Sequence, residues 1–315
     1  MKLKPLKKIL NMTQKELKKY LESRLRSYGY NVSKGDGWLY KAGTFPILLV
    51  AHMDTVHKRK PGRIVINGDV WSSPNGIGGD DRCGVFMIME IIKKYDCHVL
   101  FVEDEEIGCI GSGKFTDTDL CQSLKGKFKY LIELDRRGKN DAVFYDLDNI
   151  EFENFITEKY WKTEIGSCSD ICYLAPELDC AAVNLSCGYY NEHHLDETIN
   201  VAEMERNIRE VELLLARSDN IEKFDWKEIE WKSKWNYKYD YDWGYYSGGN
   251  YNLREYDWEV MWIDEEGNEA VDVVFAETEE EATGIFMMEH PYVCYANVLY
   301  VQNSTYAEWV MNGGK

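Results

Sequence analysis

The chain has 315 residues, 44% of them hydrophobic and 29% charged, the proportions of a soluble globular protein with one large or two medium domains. Its formal net charge of −18 argues against general affinity for nucleic acid, which needs a basic footprint. No apolar stretch reaches membrane-spanning length, and the basic start "MKLKPLKKIL" lacks the long apolar run and the cleavage site of a secretory signal. The nine cysteines are scattered and read as reduced thiols of a cytoplasmic chain. Cys168 and Cys172, one helical turn apart, have no second cysteine pair beside them and read as ordinary packing.

In chain order, Thr13 and Glu16 form a capping box that opens a helix, and Gly29 ends it. Leu17, Leu21 and Leu25 fall on one face of that helix. Short strands are expected around Trp38–Lys41 and Ile47–Ala51, and "RIVINGDVWSS" predicts a hairpin turning at Asn67-Gly68. From Cys83 to Tyr95 the chain is strongly apolar and of helix length. "HVLFVED" and "YLIELD" read as strands that end in acids, "AVFYD" and "CAAVNLSCG" as further strands, and "VAEMERNIREVELLLARS" as a long amphipathic helix. Strands alternating with helices predict an α/β fold, with a mixed, mostly parallel central sheet and helices on both faces.

Composition changes after Ser218. Residues 1–218 read as one α/β domain, and 219–252 as an aromatic, acidic linker or surface loop. Residues 253–315 read as a small C-terminal α+β domain: strand, Glu-Gly turn, strand, a helix from near Thr278, and strand. Nothing in that last segment looks catalytic.

The chemistry concentrates in the first domain. "PILLVAHMDTV" is a buried strand that ends in His52 and Asp54, two residues that point the same way because side chains alternate along a strand. One imidazole nitrogen is then free for a metal or substrate while the carboxylate takes the other. Alone, the pair also reads as a capped strand end with an incidental histidine. Four further segments join it: "GIGGDDRCG" with Asp80 and Asp81, "FVEDEEIGCIGS" with Glu105 and Glu106, "LIELDRRG" with Asp135, and "YYNEHHLDE" with His193 and His194. Zinc accepts imidazole nitrogen and carboxylate oxygen, and a pair of zinc ions needs a bridging ligand, which a carboxylate provides. Such a centre uses two histidines and three acids, with one more carboxylate left unbound as a base. The Glu105-Glu106 doublet supplies one base and one ligand, because adjacent side chains diverge.

In this order the five segments resemble the zinc-dependent exopeptidase superfamily, which includes peptidase T, carboxypeptidase G, aminoacylase and the bacterial leucyl aminopeptidases. The resemblance runs from about Ile47 to Leu215, through "HMDTV", "GGDDRCG", "EDEEIGCIGS", "ELD" and "HHLDE". It implies a dinuclear zinc hydrolase that cleaves an amide bond, an exopeptidase or dipeptidase acting on a peptide or N-acyl small molecule. His52 and Asp135 resemble ligands of one zinc, Glu106 and His193 ligands of the other, and Asp80 the bridge. Glu105 resembles the general base and Asp54 the carboxylate behind His52. Asp80 is preferred to Asp81 because the bridging acid in the family lies four residues before a glycine, here Gly84. His193 is preferred to His194 because the family histidine precedes a glutamate by four positions, here Glu197. Relatives also commonly carry a cis peptide bond after the bridging acid, here between Asp80 and Asp81. Manganese or cobalt suits the same ligands.

Three residues are candidates for contact with substrate. Asp170, in "GSCSDI", reads either as a group for a substrate amine or as part of a helix cap with Ser169. Arg136, with Arg137 as the alternative, directly follows Asp135 and is placed to bind a substrate carboxylate. His194 occupies a place often held by Ser or Thr in the family and reads as a polar residue lining the site. His57, in the basic loop "HKRKPGR", reads as solvated. The segments between ligands are too short for the inserted lid domains of many relatives, so the core is expected to be lidless. Two other readings stay open: a deacylase on the same site, and a binding protein whose metal core is only scaffold.

Overall fold

The computed structural model describes residues 2–145, 147–166, 168–227, 257–263, 269–275, 279–289 and 298–303. The chain divides into two units, Met1–Glu230 and Trp231–Lys315.

The first unit is built on an eight-stranded sheet. Its strands are β1 (Val32–Gly35), β2 (Trp38–Lys41), β3 (Phe45–His52), β6 (Cys97–Val102), β7 (Tyr130–Arg136), β8 (Asp141–Val143), β9 (Lys162–Thr163) and β10 (Ala182–Ser186). Across the sheet they run β1-β2-β6-β3-β7-β10-β8-β9. The central run β6-β3-β7-β10 is parallel. β1 and β2 extend it antiparallel on one side, and β8 returns antiparallel to β10 on the other. The mixed, mostly parallel sheet expected from the sequence is therefore observed.

Alternation along the strands explains why both faces are covered. On β3, Ile47, Leu49 and Ala51 enter one apolar cluster, while Leu48 and Val50 enter the other. The first cluster is closed by α1 (Lys4–Leu10), α2 (Gln14–Ser27), α3 (Gly79–Ile91), α6 (Ile150–Thr157) and α8 (Val201–Arg217). The second is closed by α4 (Ile110–Thr116), α5 (Asp119–Leu124) and α7 (Asp170–Leu178). Leu17, Leu21 and Leu25 of α2 are fully buried, and the Thr13–Glu16 capping box is formed.

The sequence reading left out several elements, among them β1, α1, α4, α5 and α6. α1 was not expected; Pro5 lies in its first turn, where no intrahelical N–H is needed, and Leu6, Ile9 and Leu10 bury its inner face. α3 opens at Gly79, but Asp80 and Asp81 depart from helical dihedrals, so its regular part starts close to the expected Cys83; it ends at Ile91, short of Tyr95. The Asp80–Asp81 peptide bond is cis. Gly84 lets α3 lie directly on β7: a Cβ there would meet the Leu134 carbonyl at 1.8 Å.

A small antiparallel sheet, β11-β12-β5-β4, forms from β4 (Val65–Asn67), β5 (Val70–Ser72), β11 (Tyr189–Tyr190) and β12 (Thr198–Asn200). β4 and β5 are the expected hairpin around Asn67-Gly68. This sheet ties the turn carrying His193 to the start of α8.

The second unit contains β13 (Asp257–Ile263), β14 (Glu269–Phe275), α9 (Glu279–Glu289) and β15 (Val298–Asn303). Its sheet order is β14-β13-β15, all antiparallel, and Val260, Val274, Ala282 and Phe286 form its apolar cluster. The aromatic segment around Trp235–Asn252 and the Glu-Gly turn lie outside the described residues.

Candidate metal centre

β3 is the point where the order of the parallel strands reverses: β6 lies on one side and β7 on the other. In open α/β sheets the crevice beyond the carboxyl ends at such a point is the place for a site. Pairing places His52 beside Val102, so the loop after β6 starts next to the end of β3. Val50 pairs with Glu133, which brings Asp135, two residues on, level with His52. Three strand ends thus deliver the histidine and two sets of acids to one edge.

The acids after β6 are sorted by their partners. Glu103 is engaged by Lys18, and Asp104 accepts from Gln14 Nε2 at 2.8 Å. Glu105 and Glu106 remain to face the site. Asp54 holds this pair and His52 together. Its Oδ1 lies 3.2 Å from His52 Nδ1 and accepts the Glu105 N–H at 3.2 Å, while Oδ2 accepts the Glu106 N–H at 3.1 Å. The imidazole is thereby fixed with Nε2 turned toward the remaining acids.

Around that nitrogen, Asp80 Oδ1 lies at 3.0 Å, Asp135 Oδ1 at 3.3 Å and Glu105 Oε2 at 4.0 Å. The other Asp80 oxygen, Oδ2, lies 3.2 Å from His193 Nε2, which is also 2.9 Å from Glu106 Oε2. Asp80 therefore spans two imidazoles, with Asp135 beside one and Glu106 beside the other. His193 adopts φ +66°, a left-handed conformation rare for a bulky residue, and its side chain is 54% exposed, so this end of the cluster opens to solvent. Asp81 turns the other way: its Oδ1 accepts the Gly84 N–H at 2.9 Å. His52, Asp81 and Asp135 nevertheless offer donor atoms within 4.8 Å of one another, as do His52, Asp80 and Glu106.

The electrostatics are those of crowded acids. Burial opposes the charge on His52, but Asp135, Asp54 and Asp80 outweigh it and hold its pKa well above the usual value. Hydrogen bonds to Asp80 and Glu106 raise His193 to about 11. Burial raises Asp135 to about 6 and pushes Glu105 and Asp81 well above the usual carboxylate range. Buried oxygens Asp81 Oδ2 and Glu106 Oε1 have no hydrogen-bond partner. Orphaned carboxylate oxygens are costly in a protein interior. Two divalent cations would compensate them, and an imidazole and carboxylate donor set without thiolate suits zinc, manganese or cobalt. The residues present fit such a centre.

Several contributors lie outside the residues singled out in the sequence. Both Asp135 oxygens are held by hydroxyl donors, Tyr189 at 3.2 Å and Ser169 at 3.0 Å. Glu133, two residues earlier on β7, is fully buried with both oxygens orphaned. Glu197 is fully buried and accepts from the backbone of Gly78 at 2.8 Å and Asp80 at 2.9 Å. His57 is corrected by this contact: it is no solvated loop residue, but lies 2.8 Å from Glu197 with its ring against Gly76, where a Cβ would collide with it.

The three substrate candidates fare differently. Asp170 is fully buried and burial lifts it to about 7; Ser169 stands at the N-cap of α7, and neither Asp170 oxygen reaches solvent. Arg136 leaves the cluster, because consecutive strand residues face opposite ways: its Nη2 donates to the Ile165 carbonyl at 3.1 Å and its Nε lies 3.7 Å from Asp141. His194 is exposed on the turn beside His193.

No family model matches the sequence, and no curated protein matches it. Solved structures do. The aminopeptidase PepT from Bacillus cereus superimposes with a TM-score of 0.57 at 15% identity, covering 68% of this chain and 96% of that one. They share a fold. A tripeptidase from Staphylococcus aureus gives 0.56 at 13% identity, covering 69% and 98%. A TET aminopeptidase from a Thaumarchaeota archaeon gives 0.50 at 14% identity, covering 68% and 96%. The fold of this chain is thus one on which solved aminopeptidases are built. Among the described residues no helix is long and apolar enough to cross a membrane.

Proposed function

We propose that the chain is a metal-dependent peptide hydrolase of the exopeptidase type, removing residues from the free amino end of short peptides. The observation that carries this reading is the Asp80 carboxylate, with one oxygen on His52 and the other on His193. His52 and Asp135 would hold one cation, His193 and Glu106 the other, and Asp80 would bridge them. When bound, two divalent cations supply polarisation of the scissile carbonyl and lower the pKa of water.

The remaining steps belong to the chain. Glu105 stands next to the cluster without a place in the bridge, and burial raises its proton affinity. It is suited to take a proton from the attacking water and deliver it to the leaving amine. Asp54 keeps His52 in one orientation and fixes the backbone of Glu105 and Glu106, so base and ligand stay in register. Glu197 keeps the Gly78–Asp80 backbone in place.

Preference for an amino end rests on charge. The buried Asp80 and the half-buried Glu105, Glu106 and Asp135 line the cluster beside two imidazoles, an acidic setting for an ammonium group. Of the two arginines expected to meet a substrate carboxylate, Arg136 is engaged by Asp141 and Ile165, and Arg137 pairs with Glu192 at 2.8 Å. The aminopeptidases that share the fold support the same choice.

The test is a substrate panel on zinc-loaded and chelator-treated protein. Free-amine di- and tripeptides should be cleaved, N-acetylated versions spared, and chelation should abolish turnover until metal is returned. Cleavage confined to N-acylated substrates would make the protein a deacylase. Metal binding with no hydrolysis across the panel would leave a binding protein.

A further inference from the structure

Cys168 and Cys172 are joined by a third cysteine that sequence spacing did not connect to them. Cys168 is exposed on the loop before α7. Its Sγ donates to the Ser169 carbonyl at 3.8 Å and lies near enough to two other thiols to shift them, Cys109 at the N-cap of α4 and Cys172 in the first turn of α7. Cys172 Sγ accepts the Ser169 N–H at 3.4 Å, which seats it on the same loop. Cys109 Sγ in turn lies 3.7 Å from Glu105 Oε1, and the Glu105 carbonyl accepts the Cys109 N–H at 2.9 Å. An exposed thiol is thus linked through one buried thiol to the carboxylate assigned as the base.

We propose that Cys168 is a redox modification site at which a hydroperoxide drives a disulfide to Cys109 or Cys172, disturbing Glu105 and arresting hydrolysis. The arrest rests on the reading of Glu105 given above; the disulfide does not. Cys168 attacks the peroxide, the O–O bond breaks, a sulfenic acid forms, and water or an alcohol leaves. The neighbouring thiol then attacks that sulfur, the S–O bond breaks, and water leaves as the S–S bond forms. Two electrons from two thiols reduce one peroxide, and a small thiol reverses the change.

The division of roles follows from the surroundings. Contact with Cys168, together with burial, pushes the Cys109 and Cys172 thiols up, so both remain donors to Cys168. Cys168 is the exposed sulfur of the three, the one a peroxide can reach. Cys109 has less freedom: it is buried at φ +53° in the turn that follows Glu105 and Glu106, so a bond drawing it toward Cys168 pulls on that turn.

The experiment exposes the zinc-loaded full chain to hydrogen peroxide, caps residual thiols, and maps linked peptides by mass spectrometry while following peptide hydrolysis. The expected result is a peptide pair joining Cys168 to Cys109 or Cys172, a rate lowered about 10²-fold, and recovery with dithiothreitol. Cys168→Ser should keep its rate through the same exposure, and Cys121→Ser, a buried cysteine of α5 outside the trio, should respond as the parent does. Sulfinic acid at Cys168 with no linked pair would overturn the site, as would equal inactivation of Cys168→Ser. A linked chain with full activity would overturn the arrest. Should the reduced chain hydrolyse nothing, the peptidase reading fails while the peptide map still decides the disulfide.

Discussion

Glu197 accepts the backbone N–H of Asp80, 117 positions earlier in the chain, at 2.9 Å, and with its other oxygen takes the N–H of Gly78 and the ring of His57. The residue on the amino side of the cis bond is therefore held by a carboxylate from just before β12. The position of the Asp80 backbone depends on this remote brace. Replacing Glu197 with alanine leaves two backbone donors and His57 facing an empty acceptor position. Stability should fall by about 2–3 kcal/mol. Glu197→Gln keeps one acceptor oxygen and should lose less. Chemical denaturation of the metal-free variants measures both.

Glu105→Gln keeps the side chain's size and removes its basicity. Metal content should be unchanged, and peptide turnover should drop about 10²–10⁴-fold. Metal analysis and kinetics on one preparation give the comparison. A variant that turns over normally would take the base assignment away from Glu105.

Glu106→Gln removes charge from the acid 2.9 Å from His193. One metal should bind more weakly while the other is retained, so titration with zinc should resolve a tight and a weakened step. If instead Glu105→Gln loses metal and Glu106→Gln does not, base and ligand are interchanged.

The sequence disclosed the site where strand geometry alone carries the argument. His52 and Asp54 share a face by alternation, and Asp135 ends a neighbouring parallel strand. The family's spacing to a glycine, here Gly84, favours Asp80 over Asp81; in space one oxygen of Asp80 goes to each histidine, whereas Asp81 turns to the N–H of Gly84. Glu197 stayed hidden because its task is to accept N–H groups that only the fold brings to it. His57 was misjudged for the same reason: its basic neighbours indicated solvent, but Glu197 draws it inside. Glu133 was within reach, since residue i−2 on a strand shares the face of Asp135. Pro5 likewise marked the first turn of α1. The α/β architecture itself was legible throughout, because buried parallel strands are long apolar runs that amphipathic helices separate.

His98 provides a test away from the centre. It packs against Phe128 on β6 and meets the Tyr40 hydroxyl, and burial, with Lys41 nearby, pushes its pKa down to about 4. The unfolded chain takes up this proton near pH 6.5, whereas the folded chain resists until about pH 4. The folded pKa is depressed, so the stabilisation is complete above pH 6.5 and is lost as pH falls toward 4. The stability difference between the parent and His98→Asn should shrink over that window. Denaturant midpoints at pH 7 and pH 5 check the sign; a difference that grows on acidification would contradict it.

Metal stoichiometry tests the central claim most directly. Protein stripped with chelator, saturated with zinc and freed of loose ions should hold two zinc ions per chain by elemental analysis. His52, His193, Asp135, Glu106 and the two oxygens of Asp80 account for both. A firm limit of one ion per chain would remove the bridge from Asp80, and with it the dinuclear hydrolase.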